Sequence, residues 1–202
     1  MYLPKHFEQS DARQCVELIE RFPFATIITI EDGKPFVNHL PLVVKKVDGA
    51  LLLVGHVSTR NPQLVHFKQG HRATVVFNGP HAYITPRWYA ANHVPTWNYA
   101  VVQVTGKVAV LESYSETVAV LRTMTEKFEP EQAWSFEIPD DLKSDQDLIS
   151  SIAAFQIEVS EIKGKFKLSQ NRSEKDRLGV IEGLKLRGDE LSRQVSELMT
   201  RA

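Results

Sequence analysis

The chain opens on an amphipathic repeat. Cys15, Val16, Leu18, Ile19 and Phe22 recur at helical spacing, which predicts a helix over 10–22 with one buried stripe. The period then shortens to two. Ala25–Ile30 is apolar and β-branched and predicts a strand, and Glu31-Asp32-Gly33-Lys34 holds an Asp-Gly hairpin signal. A second strand is expected over Phe36–Lys46, a second Asp-Gly turn at Val47-Asp48-Gly49-Ala50, and a third strand over Leu51–Gly55. Strands joined in this way predict an antiparallel meander, the start of a barrel or sandwich.

Beyond the meander, Asn61 as N-cap and Pro62 in the first turn predict a helix over Pro62–Lys68. Strands are expected over Ala73–Phe77 and over Asn98–Val110, the latter interrupted by Gly106. Ser113 and Glu116 form a capping box at the head of a helix over Ser113–Phe128. A further helix is expected over Ser144–Ala154, and a last strand where Phe155, Ile157 and Val159 alternate with polar residues. From Ser173 onward the pattern is helical, with Leu191, Val195 and Leu198 as a terminal stripe. Strands in runs predict an α+β fold with an antiparallel barrel, not a doubly wound sheet. No Gly-rich nucleotide fingerprint and no P-loop occurs.

Composition narrows the class. Hydrophobic residues are 43% of the 202, enough for a real core. Twenty-four Lys and Arg stand against 25 Asp and Glu, so the duplex-coating proteins, with their basic excess, gain no support. The single cysteine, Cys15, excludes an intrachain disulfide and reads as a small buried apolar group in a reducing compartment. The first residues lack the apolar core of a signal peptide, and no apolar run would span a bilayer, so a cytoplasmic location and no membrane partner are expected. The seven histidines form no metal signature, and none of the serines sits in a nucleophile elbow.

Three segments can carry chemistry. Gly55-His56-Val57-Ser58-Thr59-Arg60-Asn61-Pro62 leaves a strand and opens a helix, where free N–H groups and Arg60 suit a phosphate; an ordinary cap with a solvated arginine is the alternative. Tyr83, Trp88, Tyr89 and Trp97 crowd a stretch read as non-repetitive, which suits stacking on a planar ring, a barrel plug or a dimer interface. Lys163–Arg172 holds four cations in ten residues; as an extended segment it would put Lys165, Lys167 and Ser169 on one face and Phe166 and Leu168 in the core, although a charge run is more often a solvated face.

In order and spacing these segments resemble the PaiB-type FMN-binding negative transcriptional regulators. The resemblance runs from Met1-Tyr2-Leu3-Pro4-Lys5-His6-Phe7 through His39-Leu40-Pro41-Leu42, Gly55-His56, Arg60-Asn61-Pro62 and Gly79-Pro80-His81-Ala82-Tyr83. Pro95-Thr96-Trp97-Asn98-Tyr99 and Lys167-Leu168-Ser169-Gln170-Asn171 complete it. It implies an antiparallel split β-barrel of the FMN-binding type with peripheral helices and a helical C-terminus. It also implies a homodimer with FMN at the subunit interface. The chain is then one domain over 1–202, with the barrel and inserted helices over about 1–165 and a basic motif and helices over about 166–202.

By the same resemblance, His39, Leu40, Pro41, His56, Thr59, Arg60, Asn61, Trp97, Asn98, Lys165, Lys167 and Gln170 form the flavin site. In the wider fold a Ser-Arg-Lys-like turn holds the FMN phosphate. Thr59-Arg60-Asn61 matches it without the lysine, so Lys165 or Lys167 is expected to supply charge. No helix-turn-helix is evident, so DNA contact would need a basic patch formed in the dimer. The competing class is an FMN-dependent oxidoreductase, of the flavin reductase or pyridoxamine-phosphate oxidase type, because the cofactor itself supplies redox chemistry.

Overall fold

The computed structural model describes residues 1–90, 93–129 and 149–201. The described strands are β1 (Glu8–Gln9), β2 (Phe24–Glu31), β3 (Lys34–Pro41), β4 (Val43–Val47), β5 (Ala50–Ser58), β6 (Arg72–Ile84), β7 (Thr96–Val110) and β8 (Ile152–Lys167). The helices are α1 (Ala12–Arg21), α2 (Leu64–Lys68), α3 (Tyr114–Phe128), α4 (Glu174–Arg187) and α5 (Glu190–Arg201). The hydrogen-bonded path is β3-β2-β6-β7-β8-β5-β4, with β1 antiparallel to β8, and the path ends at β3 and β4 without closing. The chain divides into two compact units. One comprises Met1–Phe22, Phe77–Gln103 and Ile162–Ala202; the other comprises Pro23–Val76 and Val104–Glu161.

The second unit holds both Asp-Gly hairpins. Asp32 and Gly33 take φ of 51° and 73°, and Asp48 and Gly49 take 49° and 83°, the positive values that tight hairpin turns require. The expected strand over Phe36–Lys46 is in fact two strands. Pro41 brings no N–H to a ladder, and the N–H of the fully buried Leu42 turns aside to donate to the Pro23 carbonyl at 3.0 Å. The expected meander is therefore a pair of hairpins, β2–β3 and β4–β5, at opposite ends of the path.

The core of this unit gathers Ala25, Ile27, Leu42, Leu53, Phe67 and Phe155, with the last two rings 4.7 Å apart. Helix α3 starts at the expected capping box of Ser113 and Glu116 and covers Val43, Val54 and Ala154 with Val120 and Met124. A methyl group on Gly55 would lie 2.6 Å from Leu42 Cδ2 and 3.3 Å from Phe155 Cζ, which explains a glycine before His56.

In the first unit Asp11 caps α1, and Cys15, Leu18 and Ile19 form its buried stripe, with Val16 and Phe22 half-buried. The expected short strand over Ala73–Phe77 continues to Ile84, so the Gly79–Tyr83 segment is strand, and Trp97 lies in β7. Among the four aromatics, Trp88 and Tyr89 alone lie outside strands, in and just after a short 3₁₀ turn. The stripe of α5 is Ser192, Val195, Ser196 and Met199, with Leu191 exposed and Leu198 half-buried, because two small serines let this side pack closely. Of the helix expected over Ser144–Ala154, residues 144–148 lie outside the described residues, Ile149 and Ser150 are helical, and Ile152–Ala154 belong to β8. No described helix is long and apolar enough to cross a membrane.

Candidate functional site

The expected site residues fall into two sets, one in each unit. In the second unit, β5 ends at Ser58 and delivers Thr59, Arg60 and Asn61 into a tight loop. The Thr59 N–H and hydroxyl both donate to the Ser151 carbonyl, at 2.8 and 3.2 Å, and the Arg60 N–H donates to Ser58 Oγ at 3.2 Å. The backbone is thus pinned while Arg60 points to solvent, and its guanidinium has no carboxylate partner among the described residues.

The helix that follows contributes less than expected. Its regular part, α2, is five residues long. The Gln63 N–H is taken by Asn61 Oδ1 at 3.0 Å, the Leu64 N–H by the Asn61 carbonyl at 3.0 Å, and the Val65 N–H by the Pro62 carbonyl at 3.2 Å. The first N–H groups are already spent on the turn, so the start of this helix leaves the Gln63, Leu64 and Val65 N–H groups unavailable to an anion. A cavity of about 650 Å³ lies beside the loop, lined by Thr59, Leu64, Lys68, Tyr114, Thr117 and Ile152 among others.

His39, Leu40 and Pro41 close β3. His39 is exposed, with Nδ1 3.0 Å from Thr26 Oγ1, whereas Leu40 faces the core. His56 is half-buried with Nδ1 3.4 Å from Met124 Sδ, and burial holds its pKa below the ordinary value.

In the first unit Phe166 and Leu168 are buried, as alternation along β8 requires. Lys165 donates to the Tyr2 carbonyl at 3.0 Å and lies over the Tyr2 and Tyr99 rings. Lys167 donates to Thr96 Oγ1 and the Trp97 carbonyl, and its pKa is lowered by burial first and then by Arg172 and Lys165. Ser169 does not join the lysine face. Its φ of 61° ends the alternation, and its buried hydroxyl bonds the amide of Asn98, which is itself fully buried. Gln170 spends its amide on the same turn, donating to the Phe166 carbonyl and accepting from the Leu168 N–H. Trp97 stays 53% exposed, a ring available for stacking.

Sequence reasoning missed two buried polar clusters. In the second unit, Thr29, Gln63 and His66 are linked below the Arg60 loop. Thr29 follows Ala25 and Ile27 at inward positions of β2, and a polar residue in that phase was the available signal. In the first unit, Asp176 is 3% exposed; it accepts from the Ala90 N–H at 2.8 Å and lies 3.2 Å from His93 Nε2, whose Nδ1 is 3.1 Å from Arg172 Nη1.

A pinned loop thus presents an arginine that meets no carboxylate among the described residues. Residues 1–161 match the family model described as "Putative FMN-binding domain". The chain belongs to this FMN-binding family. FMN is the cofactor that membership assigns, and an exposed guanidinium with no carboxylate competitor among the described residues fits its phosphate.

Protease synthase and sporulation protein PAI 2 of Bacillus subtilis is 38% identical over 203 residues, covering 98% of this chain and 96% of its own. Among solved structures, the FAD and heme binding protein of Mycobacterium smegmatis has a TM-score of 0.62 at 17% identity, covering 85% of this chain and 78% of its own. The flavocytochrome Anf3 of Azotobacter vinelandii has a TM-score of 0.61 at 13% identity, with 88% and 78% covered. This member of the FMN-binding family has their fold, an antiparallel split barrel with helices.

Proposed function

We propose that this chain is a homodimeric FMN-binding protein of the PaiB type, acting as a regulator, in which Arg60 holds the flavin phosphate. The exposed guanidinium on a pinned loop, with no carboxylate partner among the described residues, carries the reading. When bound, FMN supplies redox chemistry; the chain binds and orients it. Lys165 and Lys167 offer further positive charge in the first unit, and the depressed pKa of Lys167 is what a half-buried amine beside two other cations would show.

The outer face of the β2–β3 hairpin supports the dimer. Cross-strand neighbours Phe24 and Pro41, Ile28 and Val37, and Ile30 and Pro35 share it, and Phe24, Val37 and Ile30 are 66%, 47% and 61% exposed. An exposed sheet face that is apolar except for the Thr26–His39 pair calls for a partner, and a second copy brings the same face.

FMN titration of wild type and Arg60→Ala tests the site. A charge-assisted hydrogen bond is worth about 1.5–3 kcal/mol, so Arg60→Ala should weaken FMN binding roughly 10- to 150-fold. Equal affinities would remove Arg60 from the site. Sedimentation at micromolar concentration showing only a 22.9 kDa species would remove the dimer. DNA binding by the dimer with a steep loss on added salt would support direct regulation.

A further inference from the structure

Below the Arg60 loop runs a chain of hydrogen-bonded polar side chains with Thr29, Gln63 and His66 at its buried centre. Gln63 is fully buried, and its amide nitrogen can only donate; it donates to Thr29 Oγ1 at 3.0 Å and to the Phe36 carbonyl at 3.2 Å. The Thr29 oxygen is therefore an acceptor on that side, and it lies 2.6 Å from His66 Nδ1. His66 Nε2 in turn lies 2.9 Å from the Glu31 carboxylate. On the other side, Asn38 Nδ2 donates to Gln63 Oε1 at 2.9 Å and to Asn61 Oδ1 at 3.2 Å. Asn61 Oδ1 also accepts the Gln63 N–H that opens the turn.

Six side chains thus join β2, β3 and the loop into one hydrogen-bonded network. Thr29 and Gln63 are 0% exposed and His66 6%, so water does not substitute for a lost partner. Such a network is costly when incomplete, and it ends on the residue next to Arg60. A loop needed only as a connection requires no such support; a loop that must hold one guanidinium against a phosphate does.

We propose that Gln63, held by Thr29 and His66, is a positioning residue that sets the Arg60–Asn61 loop for the phosphate of the flavin. This rests on the FMN reading above. Neither Gln63 nor Thr29 touches the cofactor in this account; they act through Asn61 and the turn backbone.

The test compares FMN with riboflavin, which lacks the phosphate, by fluorescence-quenching titration of the full chain. Wild type should prefer FMN, and Arg60→Ala should erase most of that preference. Thr29→Val removes the hydroxyl at nearly constant volume and should narrow the FMN-to-riboflavin ratio at least tenfold while leaving riboflavin affinity unchanged; Thr29→Ser should restore the ratio. Should Thr29→Val not fold, Asn38→Ala, on the half-buried rim of the network, should give the same narrowing. A wild-type ratio that depends on Arg60 but is untouched by Thr29→Val or Asn38→Ala overturns the positioning role and leaves the FMN reading standing. Equal binding of FMN and riboflavin by wild type overturns both.

Discussion

Helix α4 carries two glycines four residues apart, Gly179 and Gly183, and both face Trp88. A methyl on Gly183 would meet Nε1 of the Trp88 indole at 2.6 Å and Cδ2 and Cε2 more closely still; a methyl on Gly179 would run into the Trp88 carbonyl oxygen. Two effects compete in Gly183→Ala. Replacing a mid-helix glycine by alanine favours the helix by about 1 kcal/mol. Forcing a methyl into a packed contact costs about 1–3 kcal/mol, and here the obstacle is a broad ring also covered by Arg187, whose guanidinium lies 4.5 Å from the ring centroid. The clash outweighs the gain in helix propensity, so Gly183→Ala should lose up to about 2 kcal/mol. Gly179→Ala should lose more, because a backbone carbonyl cannot rotate away as a side chain can. Urea unfolding followed by tryptophan fluorescence measures both. A Trp88→Leu background isolates the cause: there Gly183→Ala should become neutral or stabilising. Both alanine variants unfolding at higher urea than wild type, as exposed helical glycines would, would show the Trp88 contact to be dispensable.

Cys15 sits 1% exposed, and burial, then the Asp11 charge, pushes its thiol up to about 11. At pH 8 its thiolate fraction is about one in a thousand, so Ellman's reagent should leave the native protein unmodified and react only after denaturant; rapid native labelling would contradict this. His56 has a folded pKa below its ordinary 6.5, so the unfolded chain takes up the proton first. Stability should therefore fall as pH drops from 6.5 and level off below the folded pKa, and His56→Phe should flatten that slope in urea titrations between pH 7.5 and 5. Val37→Lys puts a charge on the 47%-exposed apolar face of β3 and should shift the sedimenting species toward the monomer while leaving circular dichroism unchanged; an intact dimer would move the interface elsewhere.

Local chemistry was legible in the sequence. Asp32-Gly33 and Asp48-Gly49 make their turns because the positive φ they need is a property of the residues themselves, and Ser113 with Glu116 caps α3 from four adjacent positions. The alternation that buries Phe166 and Leu168 is likewise written in the chain, and so is the order of motifs that marks the FMN-binding family. Tertiary structure decided the rest. Leu42 splits one apolar run into two strands because its N–H finds Pro23, nineteen positions earlier, and no periodicity encodes that bond. The stripe of α5 turned to Ser192 and Ser196 because close packing rewards small residues over exposed leucines. That Arg60 has no carboxylate partner among the described residues, while Gln63, Thr29 and His66 are tied to one another and to Asn38, Phe36 and Glu31, depends on which groups β2, β3 and the turn into α2 bring together, a matter of assembly that residue type alone does not determine.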